Sequence, residues 1–204
     1  MAAQAFSSMA DNALFIAAIA LIQELRGPDW MAPMMKWTFA LAYVVLAAFV
    51  GAVADTFPKG RVMFVTNAMK VGGCLLMFSY ASVGLSHDLQ TFLVCLAYAV
   101  VGIGAAAYSP AKYGIVTEML PPDKLVVGNS WIEGLTVLSI IIGTVLGGAL
   151  ISPKVSEALL THPTIGRLVH TPAEAAILVI SVVYLLAALC NLLIPPTHVR
   201  YPPQ

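Results

Sequence analysis

The chain has 204 residues, of which 60% are hydrophobic and 10% are charged, and its mean hydropathy is +0.90. Soluble domains carry about 25% charged residues, so this composition excludes a soluble globular fold and indicates a surface that faces lipid. Ten basic residues balance ten acidic residues, which gives no indication of a polyanionic partner such as nucleic acid.

Six apolar segments are long enough to cross a bilayer, whose hydrocarbon core of about 30 Å needs about 20 residues of α-helix. We predict transmembrane helices at about 1–25, 37–56, 62–85, 90–109, 126–151 and 174–194. The predicted fold class is an all-α polytopic membrane protein, with one transmembrane domain over 1–194 and a proline-rich exit linker over 195–204. The connector at 152–173 has two open interpretations, a helix lying in the membrane interface and a loosely ordered loop.

Lysine and arginine counts in the connectors indicate an orientation, because cytosolic loops are enriched in these residues. With the N-terminus inside, six basic residues fall on the inner side and four on the outer side. One of the six, Lys70, is counted inside on the interpretation that its side chain snorkels from the third helix. The excess predicts a cytosolic N-terminus. The inner set is Lys59, Arg61, Lys70, Lys112, Lys124 and Arg200, and the outer set is Arg26, Lys36, Lys154 and Arg167.

The first predicted helix contains an acid in the middle of an apolar segment, Asp11, followed by Asn12. Placing a carboxylate at that depth costs roughly 2.5–3.5 kcal/mol, so such residues mark functional sites by default. We interpret Asp11 as a cavity-facing acid that contacts a substrate or forms a gating ion pair. The alternative is a structural pair with another helix. Asn12 either orients Asp11 or bridges helices.

Lys112 follows Pro110, where we expect the fourth helix to end, and lies between Tyr108 and Tyr113. Its ammonium could attract a lipid phosphate or pair with Glu133 in a gate. The alternative is an ordinary lysine on the inner face. Glu133 lies about two turns into the fifth helix, where a carboxylate needs a partner, so a cavity role and a structural pair are both open.

The sequence contains no recognisable catalytic motif. Ser109 lacks the Gly-x-Ser-x-Gly surroundings of a hydrolase nucleophile, and there is no phosphate-binding loop. His162 and His170 lack the cysteine or carboxylate spacing of a metal site. We therefore expect a protein that is not an enzyme and that uses no cofactor or metal.

Four segments are similar, in order, to the lysophospholipid transporter family of the major facilitator superfamily. They are ADNAL at 10–14, VADTFPKGRVM at 53–63, GIGAAAYSPAKYG at 102–114 and NSWIE at 129–133. The stretch YSPAKYG within the third segment is the most specific. The resemblance covers essentially the whole chain and implies six helices that form one half of a major-facilitator-type bundle.

The resemblance implies a secondary carrier of a bacterial inner membrane. Members of the family have twelve helices and move lysophosphatidylethanolamine and related lysophospholipids from the outer to the inner leaflet, where an acyltransferase restores the second acyl chain. The chain would then be the N-terminal half of a split, truncated or shortened carrier, and a C-terminal six-helix half would complete the site. The expected partners are the lysophospholipid, membrane lipid, that second half and an inner-membrane acyltransferase.

The resemblance also implies roles for individual residues. In the superfamily a glycine, an aspartate and basic residues lock the cytosolic face between the second and third helices. This implies a cytosolic gate that contains Asp55, Arg61 and Lys70. The substrate-binding or gating residues of the cavity would be Asp11, Asn12, Tyr108, Lys112, Tyr113 and Glu133.

Two other functions are open on the sequence. The chain could be a proton-coupled superfamily carrier of a drug or small metabolite, with the proton on Asp11 or Glu133. It could also be a non-transporting membrane module that recruits an acyltransferase through Lys59, Arg61 and Lys112. A response of transport to a pH gradient would favour the first function, and copurification of the enzyme without lipid movement would favour the second.

Overall fold

The computed structural model describes residues 1–81 and 84–194, except for the side chains of residues 47, 48, 52, 53, 55 and 81. In this part of the chain every regular element is a helix. The helices are α1 (Ala2–Glu24), α2 (Met31–Thr56), α3 (Lys59–Phe78), α4 (His87–Met119), α5 (Leu125–Ile151), α6 (Pro153–Thr161) and α7 (Pro172–Leu192). Short 3₁₀ turns lie at Ser79–Ala81, Pro122–Lys124 and Ile165–Arg167. The predicted all-α fold class is confirmed, and the predicted linker at 195–204 lies outside the described residues.

Five helices are long and apolar enough to cross a membrane within the described residues. They are α1, α3, α4, α7 and the stretch Pro122–Ile151, which contains α5. The described part of α2 adds a shorter apolar helix over Met31–Leu46. The chain therefore has the pattern of a multi-pass membrane protein, with α6 as a short extra helix between α5 and α7.

The prediction that the fourth helix ends at Pro110 is wrong. α4 continues through Pro110 to Met119. It stops just before two consecutive prolines, because the residue that precedes a proline disfavours the helical conformation. A proline inside a membrane helix is tolerated, since neighbouring helices cover or satisfy the backbone groups that it frees. Lys112 is therefore an interior residue of a long helix and does not lie in a connector.

Two other regions differ from the expectations. α2 begins at Met31 and not near residue 37, so Lys36 lies in the helix and not in the outer connector. The connector at 152–173 contains α6 and a 3₁₀ turn, and α7 begins with a capping box in which Thr171 and Glu174 bond each other's backbone. The loosely ordered alternative for this connector is therefore wrong.

Helix packing follows a two-fold pattern. α1 packs against α5 and α7, α4 packs against α2 and α3, and α3 packs against α7. Exchanging α1, α2 and α3 with α4, α5 and α7 reproduces the same principal contacts, as expected for internal three-helix repeats. α3 and α7 therefore form the back of the half-bundle, and α1, α2, α4 and α5 surround the opposite side.

Glycines in α5 let this helix approach the backbone of α1. A Cβ atom added at Gly147 would lie 2.8 Å from the carbonyl oxygen of Ala13, and one added at Gly143 would collide with the carbonyl group of Met9. Gly148 faces open space. Because the hydrophobic effect does not drive helices together inside lipid, such close backbone contact supplies much of the packing energy. The α1–α5 contact thus fixes one wall of the half-bundle.

Candidate functional site

A cavity of about 230 Å³ lies between α1, α2, α4 and α5. Its polar side chains are Ser8, Asp11, Asn12, Lys36, Ser109, Lys112 and Thr136, and its aromatic side chains are Phe15, Phe39, Tyr43, Tyr98 and Tyr108. Four of the residues predicted to contact a substrate thus line one cavity. These four are Asp11, Asn12, Tyr108 and Lys112.

Asp11 is held in the cavity wall by an ion pair with Lys70 of α3. The Lys70 ammonium lies 2.8 Å from Oδ1 and 2.9 Å from Oδ2 of Asp11. Tyr184 of α7 donates from its hydroxyl to Asp11 Oδ1 at 2.7 Å. The side chain of Lys70 is 1% exposed and that of Asp11 is 18% exposed. The carboxylate therefore faces the cavity, and the ammonium lies behind it.

The buried network continues behind this pair. Lys70 also donates to Ser7 Oγ at 2.9 Å, and Ser7 donates to Asn67 Oδ1 at 2.8 Å. The same ammonium lies 5.3 Å and 5.4 Å from the ring centres of Tyr108 and Tyr184. A buried charge needs hydrogen-bond partners in place of water, and aromatic rings add cation–π attraction. The ammonium is thus stabilised by groups from three other helices, α1, α4 and α7.

The interpretation of Lys70 as a snorkelling lysine is wrong. Its ammonium points into the bundle, because an ion pair with Asp11 offsets the free energy of keeping both charges away from water. The structural pair considered for Asp11 is therefore present, together with a carboxylate that faces the cavity.

Without Lys70 and Lys112 on the inner side and Lys36 on the outer side, the basic excess shrinks from six against four to four against three. The orientation stays a prediction.

Lys112 of α4 lines the cavity on the side that faces α5. Its ammonium is 3.5 Å from Thr136 Oγ1, to which Gln4 of α1 donates from Nε2 at 2.7 Å. It is also 4.4 Å from the ring centre of Tyr113. Within the described residues no carboxylate forms an ion pair with Lys112. Its charge is therefore available to an anion in the cavity.

Tyr113 and Glu133 form a hydrogen-bonded pair beside the cavity. The Tyr113 hydroxyl donates to Glu133 Oε1, and both residues are exposed and lie outside the cavity lining. The direct ion pair between Lys112 and Glu133 is not formed among the described residues. Tyr113 lies between them instead, with its ring against Lys112 and its hydroxyl on Glu133.

A buried ion pair links α3 and α4 at the end of the bundle that holds the N-terminus. The sequence did not predict this pair. Lys59, at the start of α3, lies 3.6 Å from Glu118 of α4, and both side chains are 3% exposed. Lys59 also donates to the Ala54 carbonyl oxygen of α2 at 2.6 Å. Of the predicted gate residues at this end, Arg61 is exposed, and the side chain of Asp55 lies outside the described residues.

Glu174, at the start of α7, ties together the opposite end. It is buried, and it accepts hydrogen bonds from the Tyr80 hydroxyl at 2.5 Å and from the His170 backbone N–H at 2.6 Å. Burial, and then the hydrogen bond to Glu174, raise the pKa of Tyr80 above its ordinary range, so Tyr80 remains a donor. The back wall made by α3 and α7 is thus fixed at this end by a polar contact.

Lys36, which the sequence placed in the outer connector, and the aromatic wall around it were not predicted to line the cavity. Lys36, Phe39 and Tyr43 line the cavity from one face of α2. The ring centres of Phe39 and Tyr98 are 5.7 Å apart, and those of Phe15 and Tyr98 are 6.0 Å apart. The i, i+3, i+7 spacing of the three α2 residues is the signal that could have found this face.

A half-bundle of two three-helix repeats, with a cavity between them, is the architecture of one half of a major-facilitator-type bundle. The family comparison agrees with this class. The chain belongs to the Major Facilitator Superfamily, whose family model matches residues 1–204.

The chain is similar to proteins named lysophospholipid transporter LplT. It is 40% identical to that of Serratia proteamaculans (strain 568) over 200 residues, which cover 98% of this chain and 43% of the relative. It is 40% identical to that of Yersinia pestis (strain Pestoides F) over 195 residues, which cover 96% of this chain and 41% of the relative. The predicted resemblance is confirmed, and the chain spans about two fifths of the length of these relatives.

Proposed function

We propose that the chain forms the N-terminal half of a lysophospholipid carrier. Such a carrier moves lysophospholipids, chiefly lysophosphatidylethanolamine, from the outer to the inner leaflet of a bacterial inner membrane for reacylation. The observation that carries the proposal is the cavity itself, in which a fixed carboxylate and lysine ammonium groups face the same space. The names of the relatives at 40% identity support the lipid class.

The polar groups of the cavity match a phosphate-containing headgroup. The Lys112 ammonium suits the phosphate oxygens, since it has no carboxylate partner among the described residues. Asp11 offers carboxylate oxygens to the ammonium of an ethanolamine group. Asn12 donates from Nδ2 to the Ser8 carbonyl oxygen at 2.9 Å, which leaves its side-chain carbonyl oxygen for a ligand donor.

The apolar chain of the lipid has a separate path. Among the described residues, α2 and α5 do not form one of the principal helix contacts, and both present exposed apolar side chains, such as Val44 and Ile140. The acyl chain would stay in an apolar groove between these helices.

The proposal includes the parts that complete the carrier. Ligand sites usually enclose about 300–1,000 Å³, and the cavity of about 230 Å³ is smaller, as expected of half a site. A second six-helix half would close it from the side of α2 and α5. The N-terminus would be cytosolic, and an inner-membrane acyltransferase would receive the lipid on that side.

The test is a lysolipid translocation assay with the complete protein in membrane vesicles. We expect Asp11→Ala to lower the transport rate by about tenfold to a hundredfold, the effect of losing one charged hydrogen-bond partner. Asp123→Ala is the matched control, because Asp123 is exposed in the turn before α5 and should leave the rate unchanged. Unchanged transport by Asp11→Ala at equal amounts of folded protein would refute the proposed role.

A proton-coupled carrier of a small molecule is the second candidate. The observation that favours it is the Asp11 carboxylate, which faces the cavity while paired to a buried lysine. In such a carrier a proton and the substrate would compete for this carboxylate. A steep response of transport to an imposed pH gradient, without selective lysolipid movement, would support this candidate. Lysolipid movement that does not depend on the pH gradient would support the first proposal.

A further inference from the structure

Lys36 is a second cation of the cavity, on a different helix from Lys112. It lies in the second turn of α2, lines the cavity and is exposed. Its ammonium lies 5.0 Å from the ring centre of Phe15. An aromatic ring holds an ammonium in place but leaves its charge uncompensated. Lys36 is therefore a positioned positive charge at the edge of the cavity.

The charge balance of the cavity favours an anion at this position. Asp11 is already paired with Lys70, so this pair contributes no net charge. No carboxylate forms an ion pair with Lys36 in the ranges 1–81 and 84–194. Lys36 and Lys112 therefore give this half of the cavity two positive charges that an anionic group could neutralise.

The backbone of Lys36 lies close to the α1–α2 connector, and its ammonium reaches toward Phe15 of α1. It lies five residues after the start of the helix, which is about 7.5 Å along the axis. Trp30 and Trp37 on either side of it are 57% and 76% exposed, as is typical of residues at a membrane–water boundary.

Lys112 lies toward the opposite end of the bundle from the α1–α2 connector. It is seven residues before the end of α4 at Met119, about 10 Å along the axis. α2 begins, and α4 ends, at opposite ends of the bundle, because successive spanning helices alternate in direction. The two lysines thus line one cavity from opposite sides, Lys36 on the side of the α1–α2 connector and Lys112 on the side where α4 ends.

We propose that Lys36 is a phosphate-docking residue for lysophospholipid that enters from the leaflet at the α1–α2 connector, and that Lys112 is the corresponding residue for the opposite leaflet. This inference rests on the proposed lysophospholipid transport. It adds a residue that selects the phosphodiester group and assigns it to one side of the membrane.

The binding test is a titration of the complete membrane-extracted protein, followed by native mass spectrometry. The ligands are a lysophosphatidylethanolamine and a monoacylglycerol with the same acyl chain, which differ in the phosphate-containing headgroup. We expect Lys36→Gln to weaken lysolipid binding about tenfold and to leave monoacylglycerol binding unchanged. Lys36→Arg should retain lysolipid binding. Lys154→Gln is the matched control, since Lys154 is exposed near the same end of the bundle but outside the cavity lining.

The transport test uses vesicles with lysolipid offered to one leaflet at a time. We expect Lys36→Gln to raise KM for lipid offered at the α1–α2 connector side and to leave kcat largely unchanged. Lys112→Gln should raise KM for lipid offered at the other side. A defect of folding alone would lower the amount of active protein for both sides equally and would not produce this asymmetry.

The results separate the inference from the function on which it rests. If the unchanged protein binds lysolipid no better than monoacylglycerol and does not transport it, the proposed function fails, and this inference fails with it. If the unchanged protein selects and transports lysolipid but Lys36→Gln behaves like Lys154→Gln, the proposed function stands and the role of Lys36 is refuted. Equal KM changes for both leaflets would also refute the assignment of Lys36 to one side.

Discussion

Breaking the Asp11–Lys70 pair should destabilise the protein. Asp11→Ala and Lys70→Met should differ in how much free energy of unfolding they remove. Asp11→Ala leaves a 1% exposed ammonium with Ser7 as its remaining hydrogen-bond acceptor. Lys70→Met leaves a carboxylate that keeps its bond to Tyr184 and is 18% exposed to the cavity. Loss of one partner of a buried pair costs about 3–5 kcal/mol. We expect Asp11→Ala at the upper end of this range and Lys70→Met at or below the lower end.

The assay is thermal unfolding of the purified protein in detergent. For a chain of this size 1 kcal/mol corresponds to a shift in Tm of about 2–4 °C, so losses of about 3–5 kcal/mol correspond to about 6–20 °C. The double variant Asp11→Ala with Lys70→Met has no unpaired charge and should be more stable than Asp11→Ala alone. Lys154→Met serves as the exposed control. Additive effects in the double variant would refute the conclusion that the two charges stabilise each other.

Two further predictions concern helix contacts. Gly143→Ala should lower Tm because its methyl group would collide with the Met9 carbonyl of α1, whereas Gly148→Ala, at a position facing open space, should leave Tm unchanged in the same unfolding assay. Tyr184→Phe removes one hydrogen bond from the Asp11 carboxylate and should destabilise the protein by about 1.5–3 kcal/mol. In the Asp11→Ala background the same change should have a much smaller effect, which a double-mutant cycle measures.

The helical architecture was predictable because lipid imposes a simple rule on sequence. Each spanning helix needs about 20 apolar residues, and such a segment can be recognised without knowing any contact between helices. The functional importance of Asp11 followed from the same rule, since a charge in an apolar segment stands out. Its partner was not predictable, because hydropathy does not tell which helices lie side by side. The presence of Lys70 in another apolar segment was a signal that the two charges could pair.

The errors at Pro110 and Lys36 have a shared physical cause. Both came from placing helix ends by local signals, a proline in one case and the edge of the apolar run in the other. In a membrane bundle neighbouring helices cover the backbone around a proline, and a helix can extend beyond the apolar run into the headgroup layer. As a result, two lysines assigned to connectors, Lys36 and Lys112, lie in helices and line the cavity.

The location of Lys70 also constrains how Asp11 can act in the proposed transport cycle. Asp11, Lys70 and Tyr184 all belong to this half of the bundle, and rocking of one half against the other is the usual basis of alternating access. A pair within one rigid half is not broken by such a motion. The Asp11–Lys70 pair therefore keeps its geometry during such a motion, which suits a headgroup contact and argues against a gating pair between Asp11 and the second half. The Lys59–Glu118 contact likewise joins helices of one half, so the same rocking motion would not break it.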